Sequence, residues 1–219
     1  LRDQLNRMGY HVGRRHVSTL MKKMGMMPVS CQRQTSIKHP GHQIYPYLLR
    51  GMAINQANQV WALDTTYIPM AKGFVYLTAV IDWTSRKVLA AKVAITLEAC
   101  HAVDVLEEAY QKYGCPSIVN VDQGSQFTAE AFVSRVTQAG ARISMDGRGS
   151  WRDNVFIERL WKTLKYDHVY LHAYESEADA RSKILTFLKW YNSDRPHSSL
   201  ERMTPDEKFF KTLPALKAA

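Results

Sequence analysis

Three carboxylates and two ammonium groups are the side chains in this sequence whose types and spacing suit joint chemistry. Asp64 lies inside the apolar stretch Val60-Trp61-Ala62-Leu63-Asp64-Thr65-Thr66-Tyr67-Ile68, and Asp122 ends the apolar run Ile118-Val119-Asn120-Val121. An acid within or at the end of a strand is costly to desolvate unless something cationic compensates it. Glu158, Lys162 and Lys165 stand at i, i+4 and i+7, so on a helix they share one stripe. Taken alone, that stripe is an ordinary Glu-Lys surface pair worth about 0.2–0.5 kcal/mol. The two strand acids change its meaning. Hard divalent cations such as Mg²⁺ bind through a few carboxylates plus substrate phosphates. Two such ions about 3.5–4 Å apart assist an in-line phosphoryl displacement. Without metal, three converging acids repel one another, which predicts raised carboxylate pKa values in the metal-free protein.

The elements that must position these groups follow from periodicity. Phe156, Ile157, Leu160, Trp161 and Leu164 recur at helical spacing and give the Glu158 helix a buried face. Residues 60–68, 73–82 and 85–94 read as three strands joined by hairpin-length connections. Residues 96–113 read as a helix with Thr96 as N-cap, with Val103, Leu106 and Tyr110 on the inner face and Gly114 beyond the end. A short strand follows and ends in Asp122. Residues 128–139 read as another helix and 141–145 as a fifth strand. The Gly147-Arg148-Gly149 loop then leads to the Glu158 helix, with Asp153 as a candidate cap. Three strands and then alternating helix and strand predict an α/β fold, a mixed sheet flanked by helices with Asp64 on the central strand. A helix at 178–191 precedes Arg195-Pro196-His197, read as a structural closure of the C-terminal segment.

The N-terminal part has a different character. Residues 1–10 and 14–25 read as two short helices ended by Gly9 and Gly25, which fits part of a helix-turn-helix. Arg14, Arg15, Lys22 and Lys23 are its candidate DNA contacts. Residues 1–50 hold nine Lys or Arg against one acid, Asp3, and so carry most of the formal net charge of +9. A polyanion is the partner class that this balance indicates. The predicted organisation is a DNA-binding segment over 1–28, a basic linker over 29–58, a catalytic core over 59–175 and a helical segment over 176–219. Trp151 and Arg152, in the polar loop before the Glu158 helix, are candidate DNA contacts as well. Trp61 and Trp83 read as core, and Asp82 as a turn residue. Cys31, Cys100 and Cys115 form no CxxC pair, which indicates a reducing, intracellular setting with thiols buried or idle. No apolar run reaches membrane-spanning length. The chain opens at Leu1, which reads as the start of a fragment.

Five local strings occur in order: Trp61-Ala62-Leu63-Asp64-Thr65-Thr66-Tyr67-Ile68, Asp122-Gln123-Gly124-Ser125-Gln126-Phe127, Asp153-Asn154 before Glu158, Tyr191-Asn192, and Arg195-Pro196-His197. Together, with 35 residues between Asp122 and Glu158, they resemble the DDE transposases of bacterial insertion sequences, the second-reading-frame products of the retroviral integrase superfamily. The resemblance implies a ribonuclease H-like catalytic domain. It implies Asp64, Asp122 and Glu158 as catalytic residues and ligands of two Mg²⁺, with Mn²⁺ as a substitute. Lys162 and Lys165 would hold the element's terminal DNA, and Gln123 and Gly124 would shape the loop beside Asp122. Water and then a 3′ hydroxyl would be the nucleophiles, and joining of one end to the other would give a circular intermediate. Implied partners are double-stranded DNA (terminal repeats and target), the upstream-frame product and further copies of the chain, in the bacterial cytoplasm at the nucleoid. The zinc module of retroviral integrases has no counterpart, because His11, His16, His39 and His42 lack paired cysteines. Two other readings are a nuclease of the same fold and a DNA-binding protein without catalysis.

Overall fold

The computed structural model describes residues 1–26, 44–146 and 154–214. It divides into two compact units, Leu1–Pro40 and Gly41–Ala219. In the first, α1 (Arg2–Arg7) and α2 (Arg14–Lys23) are joined by a turn in which the Asn6 side chain accepts from the Val12 amide at 3.0 Å. Val17 is the residue of α2 that is buried.

In the second unit a five-stranded sheet has the order β3-β2-β1-β4-β5. Strand β1 (Val60–Pro69) pairs antiparallel with β2 (Phe74–Asp82), which pairs antiparallel with β3 (Val88–Ala94). On its other side β1 pairs parallel with β4 (Ile118–Val121), and β4 pairs parallel with β5 (Arg142–Met145). The sheet is therefore mixed, with the Asp64 strand at its centre. Side chains alternate across a strand, so β1 splits its residues between two cores. Val60, Ala62 and Ile68 join a cluster with Ile157, Leu160, Trp161 and Leu164 of α6 (Val155–Asp167) and Ile184, Leu188 and Tyr191 of α7 (Glu177–Ser193). Trp61 and Leu63 join the opposite cluster, with Val105, Leu106 and Ala109 of α3 (Ala99–Tyr113) and Phe132 and Val136 of α5 (Glu130–Gln138). Asp64 has the parity of Ala62 and so emerges on the α6 face.

Several local expectations shift by a turn. Helix α3 begins at Ala99 rather than Thr96, because the Thr96 hydroxyl is engaged with the His101 ring nitrogen at 3.0 Å instead of capping an amide. Its inward residues are Ala102, Val105, Leu106 and Ala109, while Val103 and Tyr110 are only partly buried. The helix read at 128–139 starts at Glu130, preceded by a single turn, α4 (Ser125–Thr128). Strand β3 starts at Val88 because residues 83–87 form a tight turn with Arg86 at φ +64°. Residues 44–58, read as linker, lie against the domain: Leu49 and Ala57 are buried, and the Leu48 amide donates to Ser144 Oγ at 3.0 Å. The readings of Asp153 and of the 147–149 loop lie outside the described residues.

The C-terminal helices complete the two cores. Helix α8 (Pro205–Thr212) is opened by a capping box between Thr204 and Glu207 with Pro205 in the first turn, and it buries Phe209. Asn192, at the end of α7, pairs with the edge of β3 as a strand would: its Oδ1 accepts from the Val88 amide at 2.9 Å and its Nδ2 donates to the Val88 carbonyl at 2.8 Å. Removing that amide leaves two part-buried backbone groups unpaired. Asn192→Ala is therefore expected to lower unfolding free energy by about 1–3 kcal/mol in a urea titration. A loss below a few tenths would show that water replaces the side chain.

Candidate active site

Strand pairing is what brings the first two acids together. The β1/β4 register aligns Ala62 with Asn120, its last pair; the same register carried past the end of β4 leads Asp122 toward Asp64, which feels its charge. Glu158 projects from the exposed side of α6, whose buried face fixes the helix against β1. The carboxylates of both Asp122 and Glu158 act on Asp64 electrostatically.

Each acid is held differently. Asp64 Oδ2 accepts from the Trp161 indole Nε1–H at 2.8 Å, and its Oδ1 accepts from the Thr65 amide at 2.8 Å. Burial nevertheless pushes its pKa up to about 6, with the Asp122 and Glu158 charges adding to burial and the two hydrogen bonds opposing it. Asp122 and Glu158 are also raised, in both cases by burial, and the Gly124 amide restrains Asp122. The raised pKa values expected from repulsion are present, but desolvation is their main cause and repulsion adds to it at Asp64 alone. Lys165 is partly buried on the same stripe, where burial lowers its pKa and the Asp64 charge raises it. Among the described residues no three His, Cys, Asp or Glu side chains are gathered closely enough to hold a metal ion as they stand. Asp64 is turned to Trp161 and Asp122 folds back to Gly124, so closing the acids on a cation requires their side chains to turn. The chemistry of the set still fits a hard cation: oxygen donors, raised pKa values and mutual repulsion that a cation would relieve.

The loop after Asp122 is built for close approach. The Gly124 amide donates to Asp122 Oδ1 at 2.8 Å, and a Cβ at Gly124 would lie 2.8 Å from that same oxygen. Gln123 Nε2 donates to the Asp146 carbonyl at 2.9 Å, and Asn120 Nδ2 donates to Asp146 Oδ1 at 2.9 Å, tying the loop to the end of β5.

Of the other sequence-derived candidates, Lys162 is exposed on α6. Arg14, Arg15, Lys22 and Lys23 lie exposed on α2 in the N-terminal unit. Trp151 and Arg152 lie outside the described residues. Asp82 is fully buried as a turn residue that accepts from the Asn58 amide and from the Ser85 amide and hydroxyl. Cys100 and Cys115, expected to be buried or idle, are exposed free thiols, and Cys31 lies outside the described residues. His11 and His16 are exposed. Arg195 pairs with Asp167 at 3.2 Å, and the His197 ring packs on Tyr191, so this segment ties the chain after α7 back to α6 and α7. Trp161 is the functional side chain that sequence reasoning missed. Helical spacing places it correctly on the buried face, but nothing in the spacing tells which acceptor its N–H meets. No described helix is long and apolar enough to cross a membrane.

Two family models described as integrase core domain match residues 54–150 and 139–205. The transposase for insertion sequence element IS904 of Lactococcus lactis is 35% identical over 153 residues, covering 68% of this chain and 60% of that protein. The transposase for insertion sequence element IS629 of Shigella sonnei is 27% identical over 207 residues, covering 93% of this chain and 70% of the relative. The chain thus spans about three-fifths of the length of the first of these proteins and more of the second. Among solved structures, the HTLV-2 integrase catalytic core domain in complex with magnesium aligns with a TM-score of 0.57 at 18% identity, over 70% of this chain and 97% of that one. At that identity the likeness concerns the fold: a ribonuclease H-like mixed sheet flanked by helices.

Proposed function

From the premise that the chain belongs to the integrase core domain family, with the transposases of insertion sequences, we propose that it cleaves and joins DNA strands at the ends of such an element. The observation that carries this reading is the set Asp64, Asp122 and Glu158: three acids from a central strand, a neighbouring strand end and the helix packed against that central strand, each with a raised pKa. These three would hold divalent magnesium, or manganese in its place, as two ions in the full assembly. Bound there, the metal would offset charge building on the scissile phosphate and favour deprotonation of the attacking oxygen.

The remaining work falls to the protein's own groups. In the first reaction a water oxygen bonds to phosphorus and gives up a proton, the bond from phosphorus to the 3′ oxygen breaks, and that oxygen takes up a proton to become a 3′ hydroxyl. In the second, the oxygen of the freed 3′ hydroxyl bonds to the phosphorus of a phosphodiester elsewhere and loses its proton, and the 3′ oxygen of the attacked strand leaves and takes up a proton. In the metal-free protein Trp161 holds Asp64 Oδ2 and favours the ionised form of the acid through the indole hydrogen bond. Lys162 and Lys165, on the stripe of Glu158, would bind backbone phosphates of the element's end. The α1–α2 hairpin, with Arg14, Arg15, Lys22 and Lys23, would contribute contacts to the terminal repeats as part of a helix-turn-helix, and Trp151 and Arg152 would border the DNA near the site. Acting on two ends implies at least two copies of the chain, with the upstream-frame product as a further partner, working on DNA in the cytoplasm. The boundaries proposed for these roles remain 1–28, 29–58, 59–175 and 176–219.

The test is an assay of the full chain with labelled duplexes copied from the DNA flanking its gene, in Mg²⁺ or Mn²⁺. Joined product that requires metal supports the proposal. Nicking without joining would replace it with the nuclease reading, and DNA binding without either reaction, also after supply of the upstream-frame product, would replace it with the non-catalytic one.

Gly124 gives a sharper local test. A methyl group there meets Asp122 Oδ1 at 2.8 Å, so the carboxylate must swing away. Gly124→Ala is expected to slow cleavage by about tenfold or more, the scale on which small misplacements of reacting groups act. Its thermal midpoint should stay close to wild type, since the displaced atom ends a side chain. Wild-type cleavage in this variant would show that Asp122 has room to act from another position.

A further inference from the structure

The turn between β2 and β3 presents a guanidinium that the proposed reaction leaves unused. Arg86 adopts φ +64°, unusual for a side chain of its size, with its amide closing the turn on the Asp82 carbonyl at 2.9 Å. Its guanidinium carbon lies over the Phe156 ring, 3.1 Å from the centroid, at the start of α6. One terminal nitrogen, Nη1, is buried without a hydrogen-bond partner among the described residues. Burial lowers the pKa of the group to about 10; Tyr191 and Asp82 oppose that lowering, and Arg159 on α6 adds to it.

A second guanidinium, that of Arg159, stands near this one. The carboxylate that reaches Arg86 electrostatically is Asp82, whose Oδ1 accepts from the Asn58 amide and whose Oδ2 accepts from the Ser85 amide and hydroxyl. From α6 comes Arg159, exposed. From the segment after α7 comes His197, whose ring feels both Arg86 and Arg195, the latter already paired with Asp167. His197 Nε2 is also buried and without a partner among the described residues. Stacking on Phe156 supports the charge of Arg86 but leaves its Nη1 donor unanswered. An anion accepting from the solvent-facing part of the half-buried Arg86 and from the exposed Arg159 would relieve the repulsion between the two cations.

We propose that Arg86 and Arg159, from the β2–β3 turn and α6, form a site for a backbone phosphate of bound DNA. The occupant follows from continuity. Arg159 is the residue after Glu158 and lies about 60° around the helix from Lys162, at 100° per residue. The cluster therefore extends the basic stripe of α6 into a track, as a strand with regularly spaced phosphates needs, and is not a closed pocket for a free ion. The inference rests on the DNA reading above and adds contacts beyond the acidic residues and the Lys162–Lys165 stripe.

The test is fluorescence anisotropy of the full chain with a labelled duplex of random sequence, in chelator, across a series of KCl concentrations. Arg159→Ala should weaken binding about five- to tenfold at low salt and reduce the slope of log affinity against log salt by about 1, as expected when one phosphate fewer is neutralised. Arg159→Lys should restore the slope, which a purely structural role would not require. Arg86→Gln, with its thermal midpoint measured alongside, should reduce the slope by a similar amount. Wild-type slopes in both Arg159→Ala and a folded Arg86→Gln overturn the site while leaving the proposed function standing. Absence of salt-dependent binding by the wild type overturns both.

Discussion

Glu158→Gln should fold, bind DNA as tightly as wild type, and lose strand cleavage and joining by about three orders of magnitude, a barrier increase of about 4 kcal/mol. The side chain is exposed on α6 and makes none of the helix's packing contacts, so the substitution leaves the buried face of Ile157, Leu160, Trp161 and Leu164 untouched. What it removes is one of three negative charges and an oxygen donor of the kind that hard cations need. Removing a negative charge beside bound phosphates would, if anything, strengthen DNA binding, so affinity and rate should move apart. The comparison is single-turnover cleavage against anisotropy on the same duplex. Activity within threefold of wild type would take Glu158 out of the site.

The second large effect concerns stability. Asp64 is largely buried, and its pKa in the folded protein is about 6 against an ordinary 3.8. A carboxyl whose folded pKa lies above its unfolded value favours folding in its protonated form. That contribution is complete below pH of about 4 and is lost as pH rises through about 6. Above pH 7 the ionised group therefore costs the metal-free protein up to about 3 kcal/mol, at about 1.4 kcal/mol per pKa unit. Asp64→Asn removes the charge and keeps one oxygen to accept from Trp161 or Thr65, so about 1–2 kcal/mol of that should return. In chelator at pH 7.5 the variant should melt several degrees above wild type, and the difference should vanish near pH 4. Mg²⁺ or Mn²⁺ should stabilise wild type and leave the variant little changed, because an ion bound by the folded state alone stabilises by mass action. Equal melting points at both pH values would mean that Asp64 is solvated and its charge is not stored against folding.

Much of this arrangement was legible because it depends on short periods. The alternation of Val60 to Ile68 fixes which face of β1 carries Asp64, and the helical spacing of Phe156 to Leu164 fixes which face of α6 is free to carry Glu158. The rest depends on contacts between residues far apart in the chain. Trp161 is apolar by position, yet its N–H meets Asp64 from 97 residues away. Phe156 reads as core, yet it is also the platform for Arg86, whose positive φ has no signature in a non-glycine residue. Asn192 looks like one polar residue at a helix end, and only the sheet edge beside it shows why an amide belongs there. Thr96 illustrates the opposite failure: its type and position suit a cap, and a nearer partner, His101, took its hydroxyl.

The most direct measurement is an anomalous difference map from crystals of the full chain grown with Mn²⁺. Manganese density is expected against carboxylate oxygens of Asp64, Asp122 and Glu158, with Asp64 and Asp122 turned from their metal-free hydrogen bonds toward it. Manganese absent from all three acids, in a preparation that joins DNA strands, would contradict the assignment of these residues as the metal site.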